Sequence, residues 1–99
     1  KDRYSQASTY HQMGMVAQEQ RQWEQAEKHF LESLRIFIEY DSDNSAIVFR
    51  SLTRLWRERK ETNLIEQVAA ILGKTPEEIE RAFQGTTEPS LDQSEGTGA

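Results

Sequence analysis

Residues 10–30 read YHQMGMVAQEQRQWEQAEKHF, and the spacing of large and small side chains in this stretch decides the fold. Tyr10, Gly14 and Ala17 recur at helical spacing before a polar break, and Ala26 and Phe30 do so after it. Two helices whose contact faces alternate a bulky side chain with glycine or alanine can approach closely. The stretch therefore predicts two antiparallel helices joined by a short turn.

The rest of the chain keeps the helical pattern, with apolar residues every three or four positions and no proline before Pro76. We predict an all-α fold of five helices, at about 2–20, 23–39, 44–60, 63–72 and 76–84. On the first helix, the residues predicted to be buried are Ala7, Tyr10, Met13, Gly14 and Ala17.

The ends of the last helix have the clearest signals. Thr75 can cap it, Pro76 suits its first turn, and Glu78 completes a capping box with Thr75. Gly73 is placed to end the fourth helix. From Gly85 onward the chain is rich in Gly, Thr, Ser and acidic residues, which predicts a disordered acidic tail over 85–99.

The chain also matches itself weakly at an offset of about 39 residues. At this offset Tyr10 meets Phe49 and Met13 meets Leu52, so the third helix repeats the apolar spacing of the first. Ala17 meets Trp56, and Phe30 meets Ala69, an exchange that could conserve core volume across one helix pair. We interpret the second unit as a degenerate copy of the first.

This pattern resembles the tetratricopeptide repeat (TPR), a helix-turn-helix unit that stacks into a superhelix. The first unit departs from the family pattern at Tyr10, where tryptophan is usual, and at Ile38, where proline is usual. The resemblance implies a TPR-like helical domain over 1–84, the C-terminal part of a repeat array. Its parts are a first repeat at about 2–40, a degenerate second repeat at about 41–73, and a capping helix at about 75–84.

In such arrays the first helix of each unit lines a concave groove. Carried onto this sequence, the resemblance predicts these groove-facing, partner-binding residues: Ser8, His11, Met15, Gln18, Ile47, Arg50, Arg54 and Arg57. A row of guanidinium groups can hold carboxylates in a bidentate way, which favours an acidic peptide or protein partner. The alternative is a solvated helix face whose arginines pair with Glu58 and Glu61.

Composition limits the classes of function. The 35% hydrophobic and 29% charged fractions are typical of a soluble globular chain, and no apolar run is long enough for a membrane helix. The net charge of −5 disfavours nucleic acid. The sequence has no cysteine, which fits a reducing compartment, and we expect a cytoplasmic location.

No motif for a metal site, a phosphate loop or a catalytic nucleophile is present, so we predict no cofactor, no metal and no enzyme activity. We therefore predict a protein–protein interaction scaffold. The alternative is a structural capping or self-association element of a larger repeat protein, forming a homo-oligomer through an exposed first helix.

Overall fold

The computed structural model describes residues 3–60 and 62–85, and this part of the chain forms five helices and no strand. The helices are α1 (Arg3–Glu19), α2 (Trp23–Glu39), α3 (Asn44–Arg59), α4 (Thr62–Leu72) and α5 (Pro76–Gly85). Each helix begins and ends within one residue of its prediction, so the all-α fold is confirmed. The predicted disordered tail, apart from Gly85, lies outside the described residues.

The hairpin of α1 and α2 owes its close packing to Gly14. A Cβ atom added at Gly14 would lie 2.6 Å from two ring carbons of Phe30, so the glycine leaves the space that the ring fills. Ala7, Ala17 and Ala26 are also buried in this contact. The two helices therefore pack as the sequence predicts, with the bulky ring of Phe30 on α2 against the small residue Gly14 on α1.

Two polar details accompany this hairpin. The hydroxyl of buried Ser33 donates a hydrogen bond to the backbone oxygen of Ala7 at 2.8 Å, which ties α2 to α1. After α1, Arg21 adopts a left-handed conformation (φ 62°), and the amide of Gln22 returns to the oxygen of Ala17 at 2.8 Å. This closes the end of the helix and sends the chain back along it.

The prediction that Met13 is buried on α1 is wrong. Its side chain is 42% exposed, whereas Gly14 beside it is buried. One residue turns the helix by about 100°, and the contact face is centred on Ala7, Gly14 and Ala17. Met13 therefore lies on the outer side of the hairpin.

The second half of the chain packs differently from the first. Helix α2 contacts α3 and α4, and α5 contacts α4 and α3, but α3 and α4 do not lie side by side as α1 and α2 do. Phe83 of α5 is fully buried, with its ring centre 5.1 Å from that of Phe49 and 5.5 Å from that of Trp56. The ring that packs against Trp56 thus comes from α5, and not from the position of Ala69 on α4. The division into repeats at residues 40 and 73 stays a prediction.

The predicted signals around α5 are confirmed. The amide of Glu78 donates to the hydroxyl oxygen of Thr75 at 3.2 Å, and the amide of Thr75 donates to the Glu78 carboxylate at 3.1 Å. These two bonds form the reciprocal capping box. Gly73, just after α4, has φ 70°, a left-handed conformation that glycine adopts without strain.

Candidate functional site

A hydrogen bond between side chains of α1 and α3 sets how these two helices face each other. Nε2 of His11 lies 2.8 Å from Oγ of Ser51, and both side chains are half-buried. The His11 ring also packs at 5.5 Å from the ring of Phe30. Burial lowers the pKa of His11 below its ordinary value of 6.5, so the neutral imidazole is favoured in the folded protein.

A cleft of about 580 Å³ opens beside this bond; we refer to it as the α1–α3 cleft. Both helices contribute to it, together with the turn after α1 and the first residue of α2. Its lining residues are Met15, Gln18, Glu19, Arg21, Trp23, Ser51, Arg54 and Glu58. The cleft therefore combines nonpolar surface with charges of both signs.

A smaller pocket of about 180 Å³ lies toward the start of the two helices. Ser8 and His11 of α1 line it together with Ile47 of α3. His11 lines this pocket and Ser51 lines the cleft, so their hydrogen bond stands between the two. Three of the predicted groove residues meet here, and three more, Met15, Gln18 and Arg54, meet in the α1–α3 cleft.

The three predicted arginines are exposed on α3, but they do not all line one cavity. Arg54 lines the α1–α3 cleft, Arg57 does not, and Arg50 lines a separate cavity beside α5. The residue of α3 that is bonded to His11 is Ser51, which is next to Arg50 in the sequence. The groove shared by these three arginines stays a prediction.

The alternative interpretation, a solvated helix face whose arginines pair with acids such as Glu58 and Glu61, stays a prediction. Within residues 3–60 and 62–85, Arg50, Arg54 and Arg57 have no acid within ion-pair distance. Glu61, one of the two acids considered, lies outside the described residues. The guanidinium of Arg54 thus enters the cleft without an ion-pair partner among the described acids.

Several residues of the cleft were missed by the sequence argument. Ser51 and Glu58 belong to the same face of α3 as Ile47 and Arg54, at spacings of four, three and four residues. That helical periodicity was available in the sequence, but the family register was followed instead. Trp23, which also lines the cleft, is half-buried, with the guanidinium of Arg59 at 5.7 Å from its ring centre.

Neither a metal-binding cluster nor a membrane-spanning helix occurs among the residues that the structure describes. Across residues 3–60 and 62–85, no three His, Cys, Asp or Glu side chains come together in a way that could hold a metal ion. None of the helices in the same ranges combines the length and apolar character that crossing a membrane requires.

Comparison with known proteins agrees with the helical arrangement. The family model described as tetratricopeptide repeat matches residues 5–69, which include most of α1, all of α2 and α3, and most of α4. No individual curated protein and no solved structure shows a significant match. Because the matched segment covers well over half of the 99 residues, the chain belongs to the tetratricopeptide repeat family.

Proposed function

We propose that this chain is a protein-interaction module that binds an extended segment of a partner protein in the α1–α3 cleft. Tetratricopeptide repeats generally mediate protein–protein interactions and are typically not enzymes. The observation that carries the proposal is the cleft itself, about 580 Å³ in volume, which is lined by the exposed side chain of Met15 and by Arg54, whose guanidinium has no ion-pair partner among the described residues.

The chemistry of the cleft indicates which segment would fit. The guanidinium of Arg54 can donate two hydrogen bonds to one carboxylate. The side chain of Met15 is 44% exposed and offers an adaptable nonpolar contact. Glu19 and Glu58 also line the cleft and would repel a long acidic run. A segment with one carboxylate next to a nonpolar side chain is therefore favoured over a strongly acidic one.

The test is a titration that compares two arginines of α3. A fluorescein-labelled, C-terminally amidated peptide with one acid, Ser-Gln-Leu-Leu-Asp-Ser, is titrated into the chain, with a peptide carrying Lys in place of Asp as its counterpart. Arg54→Glu should weaken binding of the acidic peptide about tenfold, since a charge-assisted hydrogen bond is replaced by repulsion. Arg57→Glu makes the same charge change outside the cleft and should have little effect. An equal loss in both variants, or no loss in Arg54→Glu, would refute the proposed site.

The alternative, self-association, is favoured by a different observation on the outer side of the first hairpin. Met13 and Val16 of α1 are 42% and 53% exposed, and both line a shallow depression with His29 of α2. Exposed nonpolar side chains of this kind can be covered by a second copy. Sedimentation velocity at several concentrations tests this, because Val16→Glu should abolish any dimer. A wild-type chain that stays monomeric at high concentration would contradict it.

A further inference from the structure

The molecule has a second cavity, of about 500 Å³, which we refer to as the α3–α5 cavity. Its nonpolar walls come from α2, α3, α4 and α5, and consist of Leu34, Phe49, Leu72, Ile79 and Ala82. It has no lining residue in common with the α1–α3 cleft, and none from α1. The cavity is thus a separate surface feature that the proposed peptide site does not use.

Two cations border this nonpolar surface. Arg50 of α3 and Lys74, which precedes α5, both line the cavity and are exposed. Among the residues that the structure describes, neither has an acid within ion-pair distance. The acid that lines the cavity, Glu78, already accepts the amide hydrogen of Thr75 in the capping box. The cavity therefore joins a nonpolar floor to an excess of positive charge.

We propose that the α3–α5 cavity is a second docking site, whose occupant is a partner segment that inserts a bulky nonpolar side chain flanked by carboxylates. The nonpolar side chain covers Phe49 and Leu72, which are half-buried, and the carboxylates meet Arg50 and Lys74. This inference goes beyond the function proposed for the α1–α3 cleft and does not rest on it.

The arrangement of charge and nonpolar surface selects this chemistry over others. A free phosphate or a nucleic acid backbone would leave the nonpolar walls exposed to water, which loses the larger part of the available contact. A neutral nonpolar segment would cover the walls but would leave both cations without partners. Only a segment with both features satisfies the two halves of the surface, since complementary charges give orientation and specificity.

The experiment uses the full chain carrying Arg54→Glu, so that binding in the α1–α3 cleft is weakened. The unlabelled peptide Ser-Glu-Leu-Leu-Asp-Ser is titrated while amide chemical shifts are recorded by NMR. We expect shifts at Phe49, Ile79 and Ala82, and an affinity that falls about tenfold when Arg50→Glu or Lys74→Glu is added.

A steric variant and two control peptides complete the design. Ala46 lines the cavity and is exposed, so Ala46→Trp should block the peptide without changing charge or disturbing the core. Peptides with Lys for both acids, or with Ala for both leucines, should not bind. Arg57→Glu should leave the affinity unchanged, as a charge reversal on the same helix that touches neither cavity.

Three results would overturn the proposal. One is the absence of shifts at Phe49 and Ile79 in the Arg54→Glu chain. Another is equal binding of the acidic and the basic peptide, since the cations would then have no role. The third is binding of the peptide that appears only when Leu91→Ser is also introduced. The occupant of the cavity would then be the chain's own acidic tail, 85–99, and not a separate partner.

Discussion

Replacing Gly14 with alanine tests the packing that defines the first hairpin. The new methyl group would lie 2.6 Å from two ring carbons of Phe30 and 3.1 Å from a third. The ring cannot easily move away, because Phe30 has no exposed surface. Either the ring leaves its rotamer or α1 shifts away from α2.

Two opposing effects set the size of the change. Overpacking a well-packed core costs about 1–3 kcal/mol. Alanine gains about 1 kcal/mol over glycine in a helix interior. Since three ring atoms are contacted and the ring is enclosed, the cost lies toward the upper end of its range. We expect a net loss of about 1–2 kcal/mol in the free energy of unfolding, which in a domain of this size lowers Tm by about 4–8 °C per kcal/mol.

The assay is urea and thermal unfolding followed by circular dichroism, in two backgrounds. Phe30→Leu shortens the side chain that meets the new methyl group, so Gly14→Ala should cost much less, or stabilise, when both changes are combined. Gly85→Ala serves as the control, because an added Cβ there meets no atom within 4 Å.

The reasoning would be refuted by a Gly14→Ala chain that is more stable than the wild type. It would also be refuted if the substitution had the same effect with Phe30 and with Leu at that position. Either result would show that the close approach of Gly14 to the ring does not limit the packing of α1 on α2.

Three further changes test local features. Thr75→Ala should cost about 1 kcal/mol by removing the oxygen that accepts the Glu78 amide, whereas Glu77→Gln, outside the capping box, should cost less in the same urea titration. Gly73→Ala should destabilise by about 1 kcal/mol in thermal unfolding through backbone strain alone, since φ is 70° and the space around it is open. Burial lowers the pKa of His11 below 6.5, so the unfolded state binds more protons than the folded state once the pH falls to that value or below it. The free energy of unfolding therefore decreases as the pH falls through this range. His11→Gln should therefore flatten the fall in unfolding free energy between about pH 7 and about pH 5, and an unchanged slope would contradict this role.

The sequence predicted the helices and their ends well because those signals are local. Gly73 and the capping box at Thr75 depend on residues within a few positions of each other, and the structure confirms both. The small-to-large packing between Gly14 and Phe30 was equally visible, because both helices carry it at regular helical spacing.

The rotation of a helix against a distant neighbour was not predictable in the same way. Arg50 and Ser51 are adjacent in sequence but point about 100° apart, and the hydrogen bond with His11 decides which of them faces α1. The comparison of the two repeats gives equivalent positions on α1 and α3, but it does not say which side chain of α3 contacts α1.

The partner of Trp56 was missed for a related reason. Compensation was sought between α3 and α4, because a repeat pairs its own two helices. Phe83 instead reaches Trp56 from α5, beyond the matched segment of residues 5–69. A comparison of one unit with another cannot predict a core contact between a unit and a helix outside it.

The burial of Phe83 has a consequence for the modularity of this chain. Repeat arrays are commonly shortened or recombined by cutting between units, because each unit contacts only its neighbours. A cut after residue 73 would remove the ring that packs on both Phe49 and Trp56, and would open the core beneath α3. Residues 3–85 are therefore expected to melt in one cooperative transition, and the second unit should not be transplantable into another array without α5.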